Sequence, residues 1–140
     1  MPLYKLLYRS DVSLKGSQDD VDRQIGDIVR SSALSNSNVG LTGALIASEG
    51  VFIQALEGPL PALEATFEKI CQDLRHKRVS LIELAAAEER TFSEWSMARV
   101  HDGVAMLAPF TVSNNKDASR LDASLIKTLV TSMRHLLLVG

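Results

Sequence analysis

Cysteine is almost absent from this chain of 140 residues, in which Cys71 carries the only thiol. A single thiol cannot form an intramolecular disulfide or a cysteine-rich zinc site. The three histidines, His76, His101 and His135, lie too far apart for a paired metal-ligand motif. We therefore expect no metal site, and we expect the protein in the cytoplasm.

Long runs of one residue class are also missing. No apolar run approaches the roughly 18 residues of a membrane span, and the first ten residues lack the apolar core of a secretory signal. The net charge is −2, and no run of Lys and Arg exceeds three residues, whereas nucleic-acid binding favours a clustered basic surface. We predict neither a membrane nor a nucleic acid as partner.

Motifs for catalysis are scarce as well. Neither a GxxxxGK[ST] loop nor a GxGxxG run occurs, and no nucleophile has an adjacent histidine. Glu57, Glu88 and Glu89 offer carboxylates without a matching acid–base partner. Only seven residues are aromatic, among them two tyrosines and one tryptophan. Hydrolase chemistry is therefore poorly supported.

Regular patterns fill the rest of the chain. Strand-like runs are predicted at residues 3–8, 41–46, 51–56, 79–86 and 95–100. Helical patterns begin after Ser17, which can cap a helix, and after Pro59. The order strand, helix, strand, strand, helix, strand, with one further strand, predicts an α+β fold. We expect a ferredoxin-like, five-stranded mixed sheet with two helices on one face.

The chain divides into a domain at 1–100 and a C-terminal extension at 101–140. The extension reads as an irregular linker followed by an amphipathic helix at 121–138, whose apolar side needs a partner surface. The open face of the sheet is the first candidate, and a second copy of the chain is the next. Cys71 is predicted to be a core residue of the second helix.

Tyr8 and Gln54 are the first candidates for a functional site. The fold predicts that their strands are neighbours at the centre of the sheet. Gln54 interrupts an apolar run, and a buried amide is costly unless it is hydrogen-bonded. Gln54 is either a solvated residue on the polar face of its strand or an amide that binds both a tyrosine and a ligand.

The other candidates also have two interpretations. Asn36, near Ser32, either caps a helix or binds a ligand. Arg75 and His76 either stabilise the end of the second helix or reach a phosphate or ribose. In the last predicted strand, Trp95 and Met97 are most simply packing residues.

Taken together, several blocks resemble the BLUF family of blue-light sensors that use FAD. The blocks are LYKLLYRS at 3–10, SS at 31–32 followed by Asn36, LTG at 41–43, FIQALEGP at 52–59, DLRH at 73–76 and RTFSEWSM at 90–97. The order and spacing of these blocks are specific, and the resemblance runs from about residue 3 to residue 100. One position departs from the pattern, because Leu34 stands where many relatives carry an arginine that would suit a phosphate.

The resemblance implies a non-covalently bound FAD, with FMN or riboflavin as alternatives, held between the two sheet-facing helices. The implied cofactor-binding residues are Tyr8, Ile28, Ser32, Asn36, Phe52, Gln54, Ile70, Asp73, Arg75 and His76. Trp95 and Met97 would relay the signal from a strand beside that of Gln54.

The resemblance also implies a mechanism. Light would move an electron and a proton from Tyr8 toward the flavin and leave Gln54 rotated or tautomerised, which gives a red-shifted signalling state. The resemblance thus implies a photoreceptor and not an enzyme. Because residues 101–140 are too few for a catalytic domain, the output would pass to another protein or to a different oligomer. A light-independent flavoenzyme with His76 as base, and a cofactor-free interaction module, are the alternatives.

Overall fold

The computed structural model describes residues 2–12, 14–48, 50–73, 76–100 and 123–139. Its elements, in chain order, are β1 (Leu3–Val12), α1 (Gln18–Val39), β2 (Thr42–Ser48), β3 (Val51–Gly58), α2 (Leu60–Gln72), β4 (His76–Ala87), β5 (Ala98–Val100) and α3 (Ala123–Val139). The predictions for Arg75 and for residues 101–122 fall outside the described residues, and so does the side chain of His76.

The strands form one sheet in the order β4-β1-β3-β2-β5. The pairs β1–β3, β1–β4 and β2–β3 are antiparallel, whereas β2 and β5 run parallel. This mixed sheet confirms the predicted ferredoxin-like α+β fold. One expectation was wrong: β5 pairs with β2 and is therefore not a direct neighbour of the strand that carries Gln54.

Local signals explain where several elements begin and turn. Ser17 caps α1, because its hydroxyl accepts from the backbone N–H of Asp20 while the Asp20 carboxylate accepts from the N–H of Ser17. Gly50 has a φ of 81°, which suits the turn between β2 and β3. Pro59 precedes α2 with extended backbone angles. These helices and the hairpin turn thus begin at the residues that the sequence predicts for capping and turning.

The two faces of the sheet are covered by different helices. The pocket face, which includes Leu6, Tyr8, Leu45, Phe52 and Leu56, packs against residues of α1 and α2. The opposite face, which we call the α3 face, includes Leu7, Ala44, Ile46, Ile53 and Ala55 and packs against Ile126, Leu129 and Met133 of α3. Since both faces are covered, all eight residues of β3 are buried.

The strand predicted at 95–100 is shorter than expected. Only Ala98–Val100 forms β5, and residues 90–97 form a loop that precedes it. The backbone N–H of Trp95 donates to the carbonyl of Phe92 at 3.0 Å, which closes a turn, and the Trp95 carbonyl accepts from the N–H of Gly43. Trp95 and Met97 therefore lie in this 90–97 loop, because local turn formation outweighs their preference for strands.

Two other expectations also need correction. Cys71 is exposed and is not a core residue, because it lies about 100° around α2 from Ile70, which packs against the pocket-face core. The DLRH block begins at the end of α2, where Asp73 is the C-cap residue after Gln72, and its last residue, His76, begins β4. The β1 strand, predicted at 3–8, continues to Val12 because it pairs with β4 along this length.

Candidate functional site

Tyr8 and Gln54 face each other across the two central strands. They are direct partners in the β1–β3 register, and the Tyr8 hydroxyl donates a hydrogen bond to Oε1 of Gln54. Both side chains are buried, with 0% and 6% of their surface exposed. Gln54 is therefore not a solvated strand residue, and a buried amide of this kind requires hydrogen-bond partners.

The 90–97 loop provides acceptors for two buried amides. Nε2 of Gln54 lies 3.7 Å from Sδ of Met97, which accepts its hydrogen bond. Nδ2 of Asn36 donates to the backbone carbonyl of Ser96 at 2.8 Å. Asn36 is buried in the last turn of α1, so its side chain ties this helix to the loop instead of capping the helix.

Burial keeps the Tyr8 hydroxyl protonated. Desolvation raises the pKa of Tyr8 far above its usual value, and the nearby Asp73 and Cys71 raise it further. Phe67 of α2 packs against the phenol ring, with 5.7 Å between the ring centroids. Tyr8 is thus a neutral hydrogen-bond donor, held between Phe67 and Gln54.

A cavity of about 250 Å³ opens between α1 and α2 and reaches Gln54. It is lined by Ser31, Ser32, Ser35, Asn36, Val39, Gln54, Ala62, Ala65, Thr66, Lys69, Ile70 and Asp73. Its walls combine aliphatic side chains and hydroxyl groups, and two amides lie at its inner end. Such a mixture binds a ligand that is largely apolar and has a few fixed polar groups.

The structure brings most of the predicted site residues to this cavity. Ser32, Asn36, Gln54, Ile70 and Asp73 line it, and Tyr8 reaches it through Gln54. Ile28 and Phe52 lie instead in the pocket-face core and do not line the cavity. Of the two proposed relay residues, Met97 contacts Gln54, whereas Trp95 packs against the core of the α3 face.

Sequence reasoning missed several neighbours of the site. Phe67 is not among the predicted site residues, yet its ring packs against Tyr8. Ser96 takes part through its backbone, which no side-chain pattern reveals. Glu57, which has no acid–base partner in the sequence, accepts hydrogen bonds from the 90–97 loop. The available signal was the position of Glu57 in the FIQALEGP block at 52–59.

The fold and this cavity define a class of small α+β ligand-binding domains, and comparison with known proteins names the family. Residues 3–98 match the family model described as BLUF, sensors of blue-light using FAD. This match covers more than half of the chain, and the chain therefore belongs to the BLUF family.

Relatives of known sequence agree with this assignment. The chain is 36% identical over 84 residues to the photoactivated adenylate cyclase subunit beta of Euglena longa, and that alignment covers 59% of the chain. It is 31% identical over 96 residues, or 68% of the chain, to a subunit beta-like protein of Euglena gracilis. The aligned parts make up only about a tenth of these relatives, at 10% and 11% of their lengths.

Solved structures have the same fold. The dark-state structure of the BLUF protein BlrB is 28% identical and has a TM-score of 0.73, with 94% of this chain and 96% of that chain covered. The photo-activated state of BlsA has a TM-score of 0.77 at 24% identity, with 94% of both chains covered.

The residues of the cavity fit a flavin. The edge of the flavin ring alternates carbonyl oxygens with ring nitrogens, and the amides of Asn36 and Gln54 carry both donors and acceptors. Ile70 and Val39 offer aliphatic surface to a flat ring. Among the described residues, no group of three or more His, Cys, Asp or Glu side chains could hold a metal ion. No helix in the described ranges is long and apolar enough to cross a bilayer.

Proposed function

We propose that this chain senses blue light through FAD bound non-covalently in the cavity between α1 and α2. The observation that carries the proposal is the chain of hydrogen bonds from Tyr8 through Gln54 to Met97 at the inner end of that cavity. When bound, the flavin supplies the absorption of blue light and the capacity to accept an electron.

Tyr8 is suited to donate the electron and the proton. Because its pKa is raised by burial, it holds its proton until oxidation makes the hydroxyl acidic. The proton lies on the hydrogen bond to Oε1 of Gln54, so Gln54 is the first group that receives it. Asp73, which we assign to cofactor binding, lines the same cavity.

Gln54 is suited to be the switch, because its amide carries a donor and an acceptor on one planar group. In the structure, Oε1 faces Tyr8 and Nε2 faces Met97. A thioether can only accept, so a rotated amide would lose the hydrogen bond to Met97. The two orientations therefore differ in energy. The rotated or tautomerised amide presents a new hydrogen-bonding pattern to the cavity. We propose this new pattern as the basis of a red-shifted state.

We further propose that the signal leaves through the 90–97 loop and α3 to a separate partner protein. The loop contacts Gln54 at Met97, and the carbonyl of its Thr91 accepts a hydrogen bond from Arg134 of α3 at 3.1 Å. The domain at 1–100 would then be the sensor, with 101–140 as its output extension. A second copy of the chain is the alternative partner, and the cytoplasm is the proposed location.

The roles of Arg75, His76 and Ile28 in cofactor binding remain part of the proposal. Arg75 and His76 would hold the outer parts of the cofactor, and Ile28 would support the ring from the pocket-face core. The structure of Klebsiella pneumoniae BlrP1, 32% identical over 69% of this chain, was solved with FMN. FMN is therefore the first alternative to FAD here, followed by riboflavin.

A light-minus-dark absorption spectrum tests the proposed function. Purified protein is loaded with FAD, and the bound flavin is then identified by chromatography after denaturation. We expect a reversible red shift in the wild-type protein and none in the Tyr8→Phe variant, because phenylalanine cannot donate a proton. A protein that binds no flavin would favour the cofactor-free module, and light-independent turnover with a reductant such as NADH would favour a flavoenzyme.

A further inference from the structure

The 90–97 loop passes from one face of the sheet to the other. Phe92 belongs to the core of the α3 face, and Trp95 packs against that core, whereas Met97 belongs to the core of the pocket face. The loop also provides the acceptors for Gln54 and Asn36. Its position therefore determines whether the two pocket amides keep their hydrogen bonds.

A buried carboxylate holds the first part of this loop. Oε1 of Glu57 accepts from the backbone N–H of Phe92 at 2.8 Å, and Oε2 accepts from the N–H of Thr91. Oε1 also accepts from the hydroxyl of Thr42 at 3.0 Å. Glu57 is only 4% exposed, and hydrogen bonds to an ionised acceptor in such a place are among the stronger ones in proteins.

Arg90 completes the attachment from the loop itself. Its Nη1 donates to the hydroxyl of Thr42 at 2.9 Å and to the carbonyl of Glu57 at 3.1 Å, and its Nη2 donates to the carbonyl of Gly40 at 2.8 Å. The Thr42 hydroxyl thus accepts from the guanidinium and donates to the carboxylate. The residue at the start of the loop is fixed to both β2 and β3.

We propose that Glu57 is a positioning residue for the Gln54 switch. The two residues lie three positions apart on β3, so their side chains point to opposite faces of the sheet. Glu57 acts through the loop: by holding Thr91 and Phe92, it keeps Met97 and the Ser96 carbonyl within reach of the pocket amides. This inference rests on the proposed light-sensing function.

The Glu57→Gln variant tests the proposal, because it keeps the shape but replaces one accepting oxygen with an N–H donor. Trp95 is the only tryptophan, so its fluorescence reports on the loop. In FAD-loaded protein in the dark, we expect acrylamide quenching of Trp95 to rise about twofold. We expect the dark-recovery rate after illumination to change by about fivefold, since the acceptor of the Gln54 amide is no longer held.

Glu83→Gln is the matched control. A second cavity, of about 430 Å³, lies beside α3 and is lined by both Glu57 and Glu83. The carboxylate of Glu83 pairs with Lys5, with 3.6 Å between Oε1 and Nζ. Its quenching and recovery should equal those of the wild type.

Thr42→Val removes one donor to Glu57 and one acceptor of Arg90 but leaves the bonds from Thr91 and Phe92 in place. It should change quenching and recovery in the same direction as Glu57→Gln but by less, and it replaces that variant if Glu57→Gln does not fold.

Three results would overturn the positioning role. The first is that Trp95 in Glu57→Gln is quenched no more than in the wild type. The second is that quenching rises in Glu57→Gln while its dark-recovery rate and red shift stay unchanged. The third is that Glu83→Gln changes quenching and recovery as much as Glu57→Gln does. A wild-type protein without any red shift would instead overturn the proposed function. In that case the quenching comparison still decides whether Glu57 holds the loop.

Discussion

The two faces of the central strand β3 carry different polar groups, although both are buried. On the pocket face, Gln54 sits among apolar residues with its amide hydrogen-bonded at the end of a cavity. On the α3 face, Ile53 and Ala55 lie in an aliphatic core completed by α3, and the buried carboxylate of Glu57 accepts hydrogen bonds from the 90–97 loop. The difference indicates that one face is organised for a ligand and the other for stability, and that burial alone does not distinguish them.

The largest expected effect is on the pocket face, from Gln54→Leu. Leucine has a similar size but can neither accept from Tyr8 nor donate to Met97. We expect the light-induced red shift to be abolished while the flavin stays bound, as measured by difference spectroscopy on reconstituted protein. Gln18→Leu, at an exposed position of α1, should keep the full shift. A normal shift in Gln54→Leu would remove the functional contrast between the faces.

On the α3 face, we expect Leu129→Ala to lower the free energy of unfolding by about 3 kcal/mol, because Leu129 is 2% exposed and its truncation leaves a cavity. Urea unfolding followed by circular dichroism measures this loss. Leu34→Ala, at a leucine that is 69% exposed, should change it by less than about 0.5 kcal/mol. If the folded Leu129→Ala protein loses its red shift, the division between a ligand face and a stability face fails.

The smallest effect concerns pH. Because burial raises the pKa of Tyr8, its hydroxyl keeps the proton above pH 10 in the folded protein, whereas the same hydroxyl loses the proton in the unfolded chain. The stability that Tyr8 provides is complete below about pH 10, and above it the free energy of unfolding should fall by about 1.4 kcal/mol per pH unit. Urea unfolding at rising pH should show this slope in the wild type.

The matched variants for this measurement are Tyr8→Phe and Tyr4→Phe. Tyr8→Phe should reduce the alkaline loss of stability, since it removes the buried hydroxyl. Tyr4→Phe controls for the loss of a tyrosine from the same strand. If the two variants have equal slopes, burial of the Tyr8 hydroxyl does not govern the alkaline behaviour, and the pocket face would be less sealed than described.

The order of elements could be predicted from the sequence because its signals are local. Ser17 caps α1 through its own side chain, and Gly50 takes the positive φ that the hairpin turn requires. The pairing of Tyr8 with Gln54 followed from the fold, since ferredoxin-like order places β1 beside β3. These features depend on a few neighbouring residues or on topology alone.

What could not be predicted depends on contacts between distant segments. Trp95 and Met97 look like strand residues, but the turn to Phe92 and the hydrogen bond from Gly43 hold them in a loop. Alternation failed to decide the burial of Gln54, because α1 and α2 cover one face of the sheet and α3 covers the other, so neither face of β3 is left to solvent. The attachment of that loop to Glu57 joins residues 35 positions apart, a distance at which no sequence period gives a signal.

Gln54 and Glu57 are separated by an odd number of positions, three, so their side chains lie on opposite faces of β3. The number of residues in β3 therefore matters as much for the site as the identity of those residues. A slip of one residue would exchange the faces of every side chain in the strand. It would bring the carboxylate into the ligand cavity and turn the amide toward aliphatic side chains. Each of these two polar residues thus opposes a misaligned hairpin, and the strand should tolerate changes of side-chain size far better than the insertion or deletion of a single residue.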